Sequence, residues 1–220
     1  MHSTIQNLIE INNKIKKKIS EININQYNPK IIAVSKTFSI TYISHLIDYG
    51  HEDFGENKVQ EAFEKWNDIK KKNNKIKLHM IGRLQTNKVK QAVSLFDYIH
   101  SLDSEKLALK IAKECEQQKK NIKVFIQINI GKEEQKSGVN EDKIGAFYNF
   151  CKSLNLDVIG IMCIPPFNKK SSAYFSKMSE ISIKYNISQI SMGMSNDYLD
   201  ALNYKSTYLR IGSKIFGERN

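Results

Sequence analysis

Cysteine is scarce in this chain of 220 residues, which contains three: Cys115, Cys151 and Cys163. Their number is odd and no two have CxxC spacing, so the pattern indicates neither a disulfide framework nor a zinc site. All three lie among apolar residues, where a free thiol behaves as a small buried hydrophobe. Since free thiols persist in reducing compartments, the sequence predicts a cytoplasmic protein with reduced cysteines.

Long hydrophobic runs are also missing. No apolar stretch approaches the ~18 residues that a membrane-spanning helix needs, and the N-terminus lacks a signal-peptide pattern. The five histidines show no spacing typical of metal ligands. We therefore expect no membrane partner and no metal.

Arginine is rare although the chain is basic. Lysine and arginine total 34 against 23 acidic residues, which gives a net charge of +11, but only Arg83, Arg210 and Arg219 are arginines. The lysines fall mostly on polar helix faces and in loops. An aromatic and basic pattern on one surface, as in proteins that bind single-stranded nucleic acid, is missing. The charge therefore indicates a solvated surface and no nucleic-acid partner.

Strand-like and helix-like patterns alternate along the whole chain, and Ser3–Gln6 resembles a capping box for the first helix. Eight strands are predicted, at residues 30–35, 51–54, 77–81, 96–100, 122–130, 157–163, 187–192 and 207–211. Such alternation is typical of an α/β protein with parallel strands covered by helices. Eight repeats in this length predict one domain over residues 1–220, a closed (β/α)8 TIM barrel. The main alternative is an open doubly wound sheet, but no GxGxxG motif follows the first strand.

Lys36 ends the apolar first strand abruptly. A lysine at the mouth of a packed strand is partly desolvated, which disfavours the ammonium form and lowers its pKa. The neutral amine is a nucleophile, and its natural electrophile is an aldehyde or ketone, with which it forms a Schiff base. The alternative is an ordinary surface lysine in a lysine-rich protein.

Two turns of small residues follow the last two predicted strands. Gly193 and Ser195 lie in the first turn, and Gly212 and Ser213 lie in the second. Glycine lets backbone N–H groups approach an anion, and serine adds a hydroxyl donor. Phosphate often binds after strands seven and eight of such barrels, so the turns predict a phosphate site. Together with the lysine they outline a phosphorylated aldehyde as the ligand, although turns without a ligand role are the alternative.

Arg210 lies on the eighth predicted strand and would face this site if strand alternation turns it inward. A guanidinium is always charged and offers only donors. It would either bind the phosphate or donate to a heterocyclic nitrogen. In the second role it would keep that nitrogen unprotonated and weaken an electron sink.

Five segments carry a resemblance to a known family. They are AVSKT at 33–37, FGENKVQE at 54–61, HMIGRLQTNK at 79–88, SMGMS at 191–195 and RIGSKIFG at 210–217. In this order they closely resemble the pyridoxal phosphate homeostasis proteins, and the resemblance spans essentially the whole chain. It implies a barrel like the N-terminal domain of alanine racemase. His79 and the segment 85–88 belong to the same signature, but the residues themselves reveal no role for them.

The resemblance also implies the cofactor and its contacts. It implies that pyridoxal 5'-phosphate is bound as a Schiff base to Lys36, and that Ser195, Gly212 and Ser213 contact its phosphate. Arg210 is implied near the pyridine nitrogen. Asn57 is implied on the ring side of the pocket.

Two functions remain open at this stage. The first, which the resemblance favours, is a non-catalytic carrier in intracellular pyridoxal phosphate homeostasis, with no catalytic residue and with apo-enzymes as candidate recipients. The second is an amino-acid racemase, which needs an acid or base on each face of the cofactor. In the alanine racemases an additional domain and a partner subunit supply the second base. Because the chain ends at Asn220, just after strand eight, we expect that domain to be absent and the protein to be monomeric, while Tyr198 and Tyr204 stay candidate bases.

A third possibility is a Schiff-base aldolase that acts on a phosphorylated sugar. It would use the same lysine and the same small-residue turns. An absorbance band from a bound cofactor would distinguish it from the first two.

Overall fold

The computed structural model describes residues 1–24, 26–133 and 135–218, so Arg219 and Asn220 lie outside the described residues. Within these ranges, eight parallel strands pair in chain order, and the last pairs with the first to close a barrel. Helices alternate with the strands and cover the outside of the barrel. The predicted α/β class and (β/α)8 architecture are therefore confirmed.

The strands are short, as is usual for such barrels. They are β1 (Lys30–Val34), β2 (Asp53–Glu56), β3 (Lys77–Met80), β4 (Tyr98–Leu102), β5 (Lys123–Ile128), β6 (Asp157–Cys163), β7 (Gln189–Met194) and β8 (Tyr208–Ile211). The helices among the described residues are α1 (Ser3–Glu21), α2 (Ile40–Asp48), α3 (Val59–Lys72), α4 (Val89–Leu95), α5 (Glu105–Gln118), α6 (Ile144–Ser153), α7 (Ser172–Tyr185), α8 (Tyr198–Leu202) and α9 (Ser213–Phe216).

Strand β2 lies two residues later than the sequence predicts. Gly55 and Glu56 are residue types that are depleted in strands, so the prediction stopped before them. In the structure glycine is needed at 55, because a Cβ there would stand 2.8 Å from Cγ2 of Ile32 inside the barrel. The first helix also differs in detail. Its N-cap is His2, whose Nδ1 accepts the Thr4 N–H, so the predicted capping box at Ser3 is wrong.

Buried side chains form two apolar layers. The larger layer lies between the strands and the surrounding helices. A smaller cluster consists of inward residues of five strands: Ile32, Tyr98, Phe125, Met162 and Tyr208. Since side chains alternate along a strand, polar residues at the same inward parity share this interior, namely His79, His100, Ser191 and Arg210.

The three cysteines are free thiols, and Cys151 and Cys163 are buried. Burial raises the pKa of both buried thiols to about 12, so neither is a reactive thiolate near neutral pH. Across the residues that the structure describes, no helix combines the length and hydropathy that crossing a bilayer requires.

Candidate functional site

A cavity of about 1180 Å³ lies at the carboxyl end of the barrel strands. It is slightly larger than the roughly 300–1,000 Å³ of usual small-molecule sites. Its lining includes all six residues that the sequence analysis named for the cofactor: Lys36, Asn57, Ser195, Arg210, Gly212 and Ser213. The structure therefore brings the six together, while their binding roles stay predictions.

Lys36 follows β1 directly and is half-buried at the cavity wall. The residues on either side of it are fixed by side chains of β2 and α3. The Ser35 hydroxyl donates to Glu56 Oε1 at 2.7 Å, and the Thr37 N–H donates to Glu61 Oε1 at 2.6 Å. The backbone that carries the lysine is thus held on both sides.

Glu56 is a fully buried carboxylate behind this loop. Its Oε1 accepts from Ser35, from Lys65 Nζ at 3.0 Å and from Trp66 Nε1 at 2.9 Å. Lys65 also donates to the Ser35 carbonyl at 3.0 Å. Because a buried charge needs a partner, Glu56 and Lys65 stabilise each other and together fix Ser35.

Thr37 adopts a φ of 68°, in the left-handed region that β-branched residues rarely occupy. The bond from its N–H to Glu61 lies in this strained turn. Burial alone would raise the pKa of Glu61, but the Thr37 N–H and the Lys65 ammonium outweigh it and hold that pKa below its usual value. Backbone strain next to the candidate nucleophile indicates a conformation that the surrounding structure imposes.

The turns after β7 and β8 meet at Ser195. The Ser195 hydroxyl oxygen accepts from the N–H of Gly212 at 3.3 Å and from the N–H of Lys214 at 3.4 Å. Gly193, which the structure places within β7 and not in the predicted turn, has a φ of 89°, and a Cβ there would stand 2.7 Å from the Ala201 Cβ, so glycine is needed where this strand passes α8. Ser213 lies exposed beside them at the cavity wall. Backbone N–H groups and hydroxyls thus converge, as an oxyanion requires.

Arg210 lies inside the barrel mouth and is only 4% exposed. Its Nη1 donates to the Ser191 hydroxyl at 2.6 Å, and its Nη2 donates to the Cys163 carbonyl at 2.8 Å. Burial lowers the pKa of the guanidinium, although Cys163 and Asp197 act in the opposite direction. The side chain nevertheless stays charged, as arginine does in proteins, and Arg210 is among the residues that line the cavity.

Asn57 lies between β2 and α3 and packs closely against the loop after β3. A Cβ at Gly82 would stand 2.3 Å from the Asn57 carbonyl oxygen, so glycine is needed for this contact. The segment 85–88 follows, and residues Thr86–Lys88 form a 3₁₀ turn. None of the segment 85–88 lines the cavity, which is consistent with a role in positioning the loop.

Sequence reasoning missed several polar residues behind the cavity wall. It gave no role to Glu56 or Lys65, and it named His79 without a role. Most of their hydrogen-bond partners lie between 9 and 26 residues away in sequence, so only the fold shows that these side chains meet. Among the described residues, no group of three or more His, Cys, Asp and Glu side chains is placed to hold a metal ion.

Comparisons with known proteins support the resemblance. The family described as "Alanine racemase, N-terminal domain" matches residues 12–220. The pyridoxal phosphate homeostasis protein of Aquifex aeolicus is 36% identical over 200 residues, which cover 86% of this chain and 87% of that protein. The protein of the same name from Haemophilus influenzae is 35% identical over 225 residues, covering 97% and 95%.

A solved structure is also similar. It is PipY of Synechococcus elongatus with pyridoxal phosphate bound, which superposes with a TM-score of 0.79 at 27% identity. The match covers 92% of this chain and 100% of that chain.

Proposed function

This chain belongs to the pyridoxal phosphate homeostasis proteins, within the alanine racemase N-terminal domain family, and we propose that it binds pyridoxal phosphate in the cavity at the barrel mouth. One observation carries the proposal. The amine of Lys36, the converging donors around Ser195 and the guanidinium of Arg210 line one cavity. These are the groups that an aldehyde, a phosphate and a ring nitrogen require.

The donor set fits each part of the cofactor. When bound, pyridoxal phosphate supplies an aldehyde as the electrophile, and Lys36 Nζ is the nucleophile for a reversible covalent bond. The N–H of Ser213 and the hydroxyls of Ser195 and Ser213 hold the phosphate, and Gly212, whose own N–H fixes Ser195 Oγ, lets the phosphate approach the backbone because it has no side chain. Since Ser195 Oγ already binds two backbone N–H groups, it is fixed where its own hydrogen can donate to an anion.

Arg210 and Asn57 act on the ring in this proposal. The guanidinium has donors only, so next to a pyridine nitrogen it leaves that nitrogen unprotonated. An unprotonated ring withdraws electrons less strongly, which disfavours carbanion chemistry. We assign Asn57 to the ring side: it lines the cavity, and its backbone is fixed by the close contact with Gly82.

We propose a carrier that limits free cofactor and delivers it to apo-enzymes, without catalysis of its own. Racemisation by two bases needs a second acid or base opposite Lys36. Neither Tyr198 nor Tyr204 lines the cavity. Tyr198 is buried at the start of α8, and Tyr204 packs against the larger apolar layer between the strands and the helices. This placement supports the carrier over the racemase. We further propose that residues 1–220 act as one cofactor-binding domain, as a monomer in the cytoplasm.

The test is an absorbance spectrum of purified protein with added pyridoxal phosphate, followed by borohydride reduction and mass analysis of peptides. We expect a visible absorbance band and a reduced adduct on the peptide that carries Lys36. Lys36→Ala should lose both. Lys58→Ala is the matched control, because Lys58 is exposed in the next loop and does not line the cavity.

A second measurement separates carrier from racemase. Incubation with a panel of amino acids in deuterated water should show no exchange of the α-proton in a carrier. Exchange that depends on Lys36 would establish a racemase-like enzyme. An adduct on another lysine would overturn the site assignment, and the lack of any band would overturn cofactor binding itself.

A further inference from the structure

A chain of hydrogen bonds crosses the barrel interior behind Arg210. Arg210 Nη1 lies 2.6 Å from the Ser191 hydroxyl, which lies 2.9 Å from His100 Nδ1. His100 Nε2 lies 3.0 Å from His79 Nδ1, and His79 Nε2 lies 2.9 Å from Asp53 Oδ1. Each residue sits on a different strand, so five strands contribute to one line of polar contacts.

The direction of this chain follows from the chemistry of its two ends. Asp53 is a carboxylate that only accepts, so Nε2 of His79 carries the hydrogen. A neutral imidazole has one N–H, so Nδ1 of His79 accepts from Nε2 of His100. By the same rule Nδ1 of His100 accepts from the Ser191 hydroxyl. The serine oxygen is then left to accept from Arg210, whose guanidinium only donates. Both ends therefore demand the same direction.

The surroundings keep both imidazoles neutral and fixed. His79 stacks on Tyr98 at 4.2 Å between ring centroids, and His100 stacks on Phe125 at 4.1 Å. Burial lowers the pKa of His79 despite the opposing effect of Asp53. Burial, His79 and Arg210 place the pKa of His100 well below its usual value. Each ring thus stays neutral and parallel to its aromatic neighbour, and turning either ring over would break its hydrogen bonds to the next residues.

We infer that Ser191, His100, His79 and Asp53 are positioning residues for Arg210, which hold its guanidinium through a one-way chain of hydrogen bonds that ends on a carboxylate. The carboxylate of Asp53 lies at the opposite end of the barrel from the cavity, at the start of β2. Its negative charge orients every dipole in the chain so that an oxygen lone pair faces the buried cation. The consequence for cofactor binding rests on the proposed function, whereas the existence of the hydrogen-bond chain does not depend on it.

A simple core role does not explain this arrangement well. The rest of the barrel interior consists of apolar and aromatic side chains, and such residues would fill the same volume without buried polar groups. Four polar side chains in register instead connect the two ends of the barrel. Hydrogen bonds in such a chain strengthen one another, so removing any one of them weakens the contact that holds the Arg210 guanidinium.

The first test needs no cofactor. Imidazole nitrogen-15 NMR of the apo protein at neutral pH should show both His79 and His100 as neutral Nε2–H tautomers. Ser191→Ala should change the His100 Nδ1 shift, because that nitrogen loses its donor. A different tautomer in either ring of the unmodified protein would overturn the inference.

The second test reads the effect at the cavity. Ser191→Ala should weaken pyridoxal phosphate binding roughly 10-fold and shift its visible band, because Arg210 Nη1 loses its acceptor and the guanidinium is no longer held in place. Ser101→Ala is the matched control: Ser101 is 1% exposed on the same strand as His100, and its hydroxyl has no partner among the described residues. Equal affinity and an equal band in both variants would overturn the inference.

A second pair of variants serves where Ser191→Ala does not fold. Asp53→Asn keeps the shape but removes the charge, and should weaken binding roughly threefold with a shifted band. Glu52→Gln makes the same change on the exposed neighbouring residue and should have no effect. If the unmodified protein does not bind the cofactor at all, the proposed function fails, and the apo NMR result still decides whether the chain exists.

Discussion

The hydroxyl of Ser35 donates a 2.7 Å hydrogen bond to Oε1 of Glu56, and this contact ties the residue before Lys36 to the end of the neighbouring strand. The same oxygen accepts from Lys65 and Trp66, while the other carboxylate oxygen is buried without a partner among the described residues. Within the described part of the chain, all hydrogen bonds to the Glu56 carboxylate therefore reach one of its two oxygens. Its three donors all lie on the side of the lysine loop or of α3, so the contact fixes the loop against the helix.

Glu56→Gln should therefore be strongly destabilising although it preserves shape. The amide loses the negative charge that compensates the buried ammonium of Lys65, whose side chain is only 9% exposed. Breaking a buried pair from one side typically costs about 3–5 kcal/mol, but Lys65 keeps its 3.3 Å ion pair with Glu61, so we expect the free energy of unfolding to fall by about 2 kcal/mol. Urea denaturation followed by circular dichroism measures this. Glu64→Gln, at an exposed position of α3 next to Lys65, should change the free energy of unfolding by less than about 0.5 kcal/mol. Similar losses in both variants would contradict this account.

Thr37→Gly should relieve the strained turn after Lys36. Glycine adopts a positive φ at no steric cost, whereas a β-branched residue at φ 68° is held there by its contacts. The N–H that donates to Glu61 is retained. Relief of strain and the greater entropy of glycine in the unfolded chain oppose each other, so we expect stability to change by less than about 1 kcal/mol.

The same variant should affect the site more than the fold. With a freer backbone on one side, Lys36 is less well positioned, and pyridoxal phosphate should bind roughly 3- to 10-fold more weakly. Equilibrium titration by absorbance measures this. Thr41→Gly, at an exposed position in the first turn of α2, is the control and should lower stability without lowering affinity. A loss of stability above 2 kcal/mol in Thr37→Gly would show that the threonine side chain, not the strain, matters most.

Much of the architecture could be predicted because most strands are short apolar runs bounded by helical patterns. Strand β6, for example, spans the predicted residues 157–163. The site residues that follow strand ends were also predictable, because parallel strands in a barrel place their carboxyl ends at one rim. That rule alone brings Lys36 near Ser195 and Gly212, which are more than 150 residues away in sequence.

The supporting polar contacts could not be predicted in the same way. His79 and His100 are 21 residues apart, and His100 and Ser191 are 91 apart. Whether they meet depends on the register between strands, such as the pairing of His79 with Tyr98, and on which face each strand turns inward. A shift of one residue would turn every one of these side chains outward. Sequence periodicity does not determine register to that accuracy in strands of four to six residues.

Ser195→Ala should weaken phosphate binding independently of the covalent bond to Lys36. Pyridoxamine 5'-phosphate is the suitable probe, because it carries the phosphate and ring but no aldehyde. Removal of a hydroxyl that donates to a charged oxygen typically costs 1.5–3 kcal/mol, so the dissociation constant should rise about 10-fold or more. Isothermal titration calorimetry measures it. Ser188→Ala, at an exposed position before β7, should bind as the unmodified protein does. An unchanged dissociation constant in Ser195→Ala would place the phosphate elsewhere.

The buried histidines should make the fold sensitive to mild acid. Burial lowers the pKa of His79 and places that of His100 well below the ordinary value of 6.5. Below pH 6.5 the unfolded chain therefore binds protons that the folded protein does not. Wherever the unfolded state binds more protons than the folded state, the free energy of unfolding falls as the pH falls. These groups therefore contribute full stability above pH 6.5 and lose it as the pH falls toward their folded pKa values. Asp53 has a lowered pKa and loses its contribution only below about pH 4, in a separate window.

His100→Gln should flatten this dependence. Each neutral buried histidine contributes a slope of up to about 1.4 kcal/mol per pH unit, so removing one titrating group should reduce the slope between pH 6.5 and 5 by up to that amount. Urea denaturation at half-unit pH steps measures it. The variant is also less stable at pH 8, so Val93→Ala is the control: it truncates a fully buried apolar side chain and should lower stability equally at every pH. If His100→Gln instead shifts the whole curve down in parallel, as Val93→Ala does, then His100 binds the same number of protons in the folded and unfolded protein over this pH range. That result would contradict the neutral imidazole that the hydrogen-bond chain requires.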